Sequence, residues 1–131
     1  MAGNIKKCFV VEASFILTFL LKEESAVTEV FRSYINGEIQ FITSDLLKYE
    51  IGNGLRSAVL KKRINPRTAK IIYREFFSLG ISEEDLNPLE TLRIALLRNI
   101  SFYDASYLVL SRQKGWPLLT RDKALKALKW S

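Results

Sequence analysis

The chain has 131 residues, of which 48% are hydrophobic, with a net charge of +6 and an isoelectric point near 9.6. That length suits one domain spanning 1–131 with a real core, and that apolar content excludes a disordered chain. With no histidine and one cysteine, internal disulfides, His-ligated zinc sites and the Ser-His-Asp and Cys-His mechanisms are all excluded.

In chain order, Cys8-Phe9-Val10-Val11 reads as a strand buried on both faces, because the apolar run does not alternate. Glu12 ends it. Ser14 is the expected N-cap of a short helix through Leu21. The run from Cys8 to Leu21 is too short to span a bilayer and is broken by Glu12. Lys6 and Lys7 imitate a signal peptide, but no small-residue cleavage pattern follows. The expectation is a cytoplasmic protein that does not meet a membrane.

A second helix over 24–35 stops at Asn36-Gly37. Ile39 to Ile42 reads as a short strand. Thr43 or Ser44 is the expected cap of a long helix to about Lys62. Asn65-Pro66 opens the next helix, which ends at Gly80. Ile81-Ser82 reads as a short strand. Asn87-Pro88-Leu89-Glu90 is a capping-box signal for a helix to about Asn99, and Ser101 caps another through Lys114. Leu118-Leu119-Thr120 reads as a strand and 123–129 as a last short helix. Strands separated by helices need crossover connections. The predicted fold class is therefore α/β, with a parallel sheet covered by helices on both faces. Ligands of such sheets bind beyond the C-terminal strand ends.

Four acids stand out against this frame. Glu12 and Asp122 follow strands, so both fall at the binding edge. A buried Glu12 needs a cation or several donors, and an arginine is the plain alternative. Glu50 lies about 60° from the helix stripe Leu47, Ile51, Leu55 and Ala58, so it flanks the core together with Asn53. Its plain alternative is a boundary glutamate. Asp104 follows Ser101 by three, and Asp122 precedes a helix, so each also reads as part of a cap. Their joint placement at one sheet edge is what those separate alternatives leave unexplained. Clustered carboxylates suit Mg²⁺ or Mn²⁺ and metal-assisted phosphodiester hydrolysis. No GxxxxGK[ST] or GxGxxG loop is present.

The basic excess is uneven. Lys61, Lys62, Arg63, Arg67, Lys70 and Arg74 cluster at one helix junction. Arg112, Lys114, Arg121, Lys123, Lys126 and Lys129 dominate the C-terminal end. Such faces suit a polyanion like RNA, with an ordinary solvated surface as the alternative.

Four segments carry a family resemblance: Val10-Val11-Glu12-Ala13-Ser14, Glu50-x-x-Asn53-x-Leu55, Phe102-Tyr103-Asp104-Ala105-x-Tyr107-Leu108, and Gly115-x-Pro117-Leu118-Leu119-Thr120-x-Asp122. In order and spacing the chain resembles the PIN-domain family, and within it the VapC-like toxin ribonucleases. The resemblance implies a three-layer α/β/α fold and Mg²⁺- or Mn²⁺-dependent RNA cleavage. Glu12, Glu50, Asp104 and Asp122 would be the catalytic and metal-holding cluster, supported by Ser14, Asn53 and Thr120. Lys61, Lys62, Arg63, Arg121 and Lys123 would meet the RNA backbone. A homodimer and a small antitoxin partner are also implied. Two departures stand out. Glu12 replaces the usual aspartate, extending the carboxylate by roughly 1.5 Å, and the usual final strand is shortened or missing. A catalytically weak PIN scaffold that binds RNA or protein, and a nuclease acting on DNA, are the competing expectations.

Overall fold

The computed structural model describes residues 6–128. Four strands, β1 (Lys7–Val11), β2 (Ile39–Ser44), β3 (Ser82–Glu84) and β4 (Leu118–Leu119), form one sheet in the order β3-β2-β1-β4. All pairings are parallel: Phe9 faces Phe41, Val11 faces Leu119, and Ile42 faces Ser82. Seven helices connect or follow the strands: α1 (Ala13–Leu20), α2 (Ser25–Ile35), α3 (Leu47–Leu60), α4 (Pro66–Ser78), α5 (Pro88–Arg98), α6 (Phe102–Lys114) and α7 (Lys123–Ala127).

The chain builds outward from β1 to β2 and β3, then returns to place β4 on the other side of β1. The order therefore switches between β1 and β4. Consecutive strand residues point to opposite faces. Val10 and Val11 are both 0% exposed, so β1 is covered on both sides. α6 packs against β1, β2 and β4, with α5 on α6. α1, α2, α3 and α4 form the other packed group. This is the expected α/β arrangement. None of the described helices is long and apolar enough to cross a membrane.

Local chemistry sets most boundaries. Asn65 and Asn87 cap α4 and α5 by accepting the Thr68 and Glu90 amides at 2.7 and 3.1 Å. Only half of the expected capping box forms, because the Glu90 carboxylate pairs with Arg93 instead. Gly115, at φ +70°, ends α6 in the left-handed conformation.

Two helix starts differ from expectation. Ser14 lies inside α1, and the cap is Glu12, which accepts the Phe15 amide at 3.2 Å. Thr43 and Ser44 belong to β2, where pairing with Glu83 and Glu84 lengthens the strand. α3 begins after Leu46, whose amide donates to the Ser44 hydroxyl at 3.1 Å. α7 ends at Ala127, with Leu128 already extended, short of the helix expected over 123–129; Lys129 lies outside the described residues.

Candidate active site at the sheet switch point

Four segments deliver one carboxylate each to the same cleft. Glu12 leaves the end of β1 and Asp122 follows β4. Glu50 lies in the first turn of α3 and Asp104 in the first turn of α6. All four line a cavity of about 370 Å³, together with Ser14 and Asn53. Its position, beyond the C-terminal ends of β1 and β4 at the switch in strand order, is where open parallel sheets bind ligands. None of the described residues lining it is basic.

The stripe predicted on α3 is the buried one: Leu47, Ile51, Leu55 and Ala58. It leaves Glu50 half-buried at its edge, on the cleft wall. Gly54, on the same helix, allows α1 to come close: a Cβ there would sit 2.4 Å from Leu17 Cδ1. That approach brings the α1 and α3 walls together.

Each carboxylate also has local donors. The Ser14 hydroxyl donates to Glu12 Oε1, which also takes the Phe15 amide, so an arginine is not what meets this 4%-exposed side chain. The Tyr107 hydroxyl donates to Glu50 Oε1. Asp122 caps α7 through the Leu125 amide at 3.0 Å. The Asp104 amide is accepted by the Ser101 hydroxyl at 3.0 Å, so Asp104 serves a helix start and the cleft at once. Ser14 Oγ lies 3.2 Å from Thr120 Oγ1 and accepts the Arg121 amide at 2.8 Å, and Thr120 Oγ1 accepts the Asp122 amide. These bonds tie the loop after β4 to the start of α1.

The electrostatics record the crowding. Burial pushes the Glu50 carboxyl up to about 7; the Tyr107 hydroxyl opposes this, while the charges of Glu12 and Asp104 add to it. Burial raises the Asp104 carboxyl too, with Asp122 as the next cause and Ser101 opposing. Burial and the nearby Glu50 push the Tyr107 phenol well above its usual range, so it stays a donor. The donor set is oxygen-only and anionic, which fits a hard divalent cation. Among the described residues, however, no three acidic side chains already converge as a metal-binding group. Glu12, Glu50 and Asp122 accept their internal bonds through one oxygen each, Oε1, Oε1 and Oδ1, and a carboxylate has further lone pairs with which to meet an ion.

The raised Glu50 carboxyl makes stability depend on pH. Unfolded Glu50 releases its proton near 4.5, whereas the folded protein retains it up to about 7. Between these values the folded state binds more protons, so stability falls as pH rises. Discounted for partial exposure, the contribution is on the order of 1 kcal/mol. Glu50→Gln is expected to flatten this loss in thermal melts from pH 4.5 to 8. An unchanged pH slope in the variant would contradict the assignment.

The structure does not bring the basic candidates together around the cleft. Lys61, Lys62 and Arg63 follow α3, roughly 18 Å along its axis from Glu50 at 1.5 Å per residue. Arg63 pairs with Glu23, and Arg121 grips Glu24 with two bonds of 2.7 Å. Lys123 is exposed at the start of α7. Two contributions were not read from the sequence: Tyr107 as the partner of Glu50, and the cleft tyrosines Tyr49 and Tyr103. The spacing of Tyr107, three residues after Asp104 on one helix face, was the available signal.

Comparison with known proteins agrees with this architecture. A 79-residue stretch, 60% of the chain, is 34% identical to Exonuclease VapC9 of Pyrobaculum aerophilum and spans 59% of that relative's length. The solved structure of PAE2754 from Pyrobaculum aerophilum superposes with a TM-score of 0.72 at 26% identity, over 91% of this chain and 77% of that one. VapC20 of Mycobacterium tuberculosis, described as a sarcin-ricin loop cleaving toxin, shares the fold with a TM-score of 0.64 at 18% identity, covering 94% and 96% of the two chains. The sequence model of the PIN domain matches residues 9–131. With that match, a parallel sheet in this order and four acids at its switch point, the chain belongs to the PIN-domain family.

Proposed function

We propose that this protein is a metal-dependent endoribonuclease of the VapC toxin kind, built as one domain and acting in the cytoplasm. The observation that carries the reading is the meeting of Glu12, Glu50, Asp104 and Asp122 in one cleft with no basic residue among the described residues of its lining. Glu12, Glu50 and Asp104 would hold Mg²⁺ or Mn²⁺, and Asp122 would complete the cluster or orient a water. The chemistry such an ion supplies when bound is activation of water and neutralisation of phosphate charge. Tyr107 steadies the Glu50 carboxylate. Ser14 and Thr120 hold the two strand ends at a fixed separation. Lys61, Lys62 and Lys123 are the exposed cations for the RNA backbone, and Arg63 and Arg121 would serve it only by leaving Glu23 and Glu24. Cleavage of labelled RNA and DNA side by side, with Mn²⁺ or with EDTA, tests the reading. RNA is the expected substrate, and preferential DNA cleavage would overturn that choice.

A second reading is favoured by Glu12, and by the internal bonds that occupy the carboxylates: a PIN scaffold that binds RNA or protein without cutting. Substitution of Glu12 by aspartate separates the two. As to partners, the VapC kinship supports a small antitoxin that blocks the cleft, to be sought as a reading frame directly upstream. A homodimer has a candidate surface. α5 exposes Leu89 (81%), Leu96 (74%) and Leu97 (66%), an apolar face of the sort that marks protein contacts. Leu96→Glu is expected to convert a dimer to a monomer in light scattering. A wild type that is already monomeric would remove the dimer.

A further inference from the structure

The described aromatic rings that contact one another form two clusters, one around Phe31 and one around Phe76. Tyr49 and Tyr103 belong to neither. They are 62% and 45% exposed, and both line the acidic cleft. Each immediately precedes an acid, Glu50 on α3 and Asp104 on α6, so the two rings stand on different walls. Their exposure is unlike that of Tyr107 on the same helix as Tyr103, which is 0% exposed and committed to Glu50. The Lys48 ammonium lies 5.2 Å from the Tyr49 ring centre, a cation–π contact that steadies the ring without burying it.

The described lining of the cleft carries four acids and no cation, and Lys48, beside Tyr49, is paired with Glu83. A bound ion would answer the charge of the reacting phosphate alone, so the flanking nucleotides need an attraction that does not depend on charge. Aromatic rings supply one, because every nucleobase has a face that stacks on them, whatever the sequence. Stacking also demands bases already free of a duplex. We propose that Tyr49 and Tyr103 are stacking platforms for the nucleotides on either side of the cleaved phosphate. The substrate class is then single-stranded or looped RNA with unpaired bases at that point. This rests on the nuclease reading and narrows it.

The test measures fluorescence anisotropy with a labelled eight-nucleotide RNA, the same strand with abasic sites at its centre, and the matching duplex. Ca²⁺ replaces Mn²⁺ so that binding is read without cleavage. Wild-type cleavage with Mn²⁺ is measured in parallel. The wild type should bind the intact strand at least about tenfold more tightly than the abasic strand or the duplex. Tyr49→Ala and Tyr103→Ala should each weaken binding of the intact strand by roughly tenfold and leave the abasic strand little affected. Tyr49→Phe and Tyr103→Phe, which keep the ring, should restore the preference. A wild type that cleaves RNA yet binds intact and abasic strands equally overturns the stacking role and leaves the nuclease reading standing. Alanine variants that retain the full preference of the wild type overturn the stacking role in the same way. A wild type that neither binds nor cleaves RNA removes both.

Discussion

Replacing Asp104 by asparagine is expected to reduce Mn²⁺-dependent RNA cleavage by on the order of 100-fold or more, with little change in folding. The side chain is half-buried in the cleft, and the bond that caps α6 runs from its backbone amide to Ser101 Oγ. Asparagine keeps the shape and the cap but removes the charge. Relieving the like-charge contact with Asp122 offsets any lost packing, so thermal stability should hold or rise slightly. Cleavage that persists at the wild-type rate in the variant would show that the acids do not act together.

The second large effect concerns Glu12. A longer side chain in place of aspartate would displace its carboxylate if it extended straight into the cleft, and a misplacement of about 1 Å can cost on the order of 100-fold. In the structure it folds back. Its oxygen takes the Phe15 amide, three residues on, which is where a capping aspartate places its own oxygen. The extra methylene is absorbed by that bend. Glu12→Asp is therefore expected to change cleavage by less than about fivefold, whereas Glu12→Gln, which can keep the cap bond but loses the charge, should fall by on the order of 100-fold. Both are read as kcat/KM with Mn²⁺, alongside thermal melts that report the cap. A silent wild type that gains strongly as Glu12→Asp would favour the binding scaffold instead.

Much of the fold was legible because its signals are local. The non-alternating run before Glu12 reports a strand covered twice, and Val10 and Val11 are indeed fully buried. Asn65, Asn87, Ser101 and Gly115 mark helix ends through bonds to near neighbours. The errors arose where non-local pairing or side-chain reach decided. β2 runs on through Thr43 and Ser44 because β3 lies beside it. Glu12 displaces Ser14 as a cap because α1 starts at Ala13, directly after β1, which puts Glu12 at the cap position and Ser14 inside the helix. The gathering of the four acids was legible from strand ends and helix face. Their internal hydrogen bonds were not, because those depend on rotamers and on Tyr107, which comes from 57 residues away. The sequence placed Lys61, Lys62 and Arg63 at a helix junction, and the length of α3 separates that junction from Glu50.

Metal-dependent cleavage requires these carboxylates to bind a common ion. Calorimetric titration of Mn²⁺ into the wild type and into Asp104→Asn at pH 7.5 measures this directly. Saturable binding by the wild type, weakened at least about tenfold in the variant, is the predicted result. No binding by a folded wild type, or equal binding by both proteins, would contradict it.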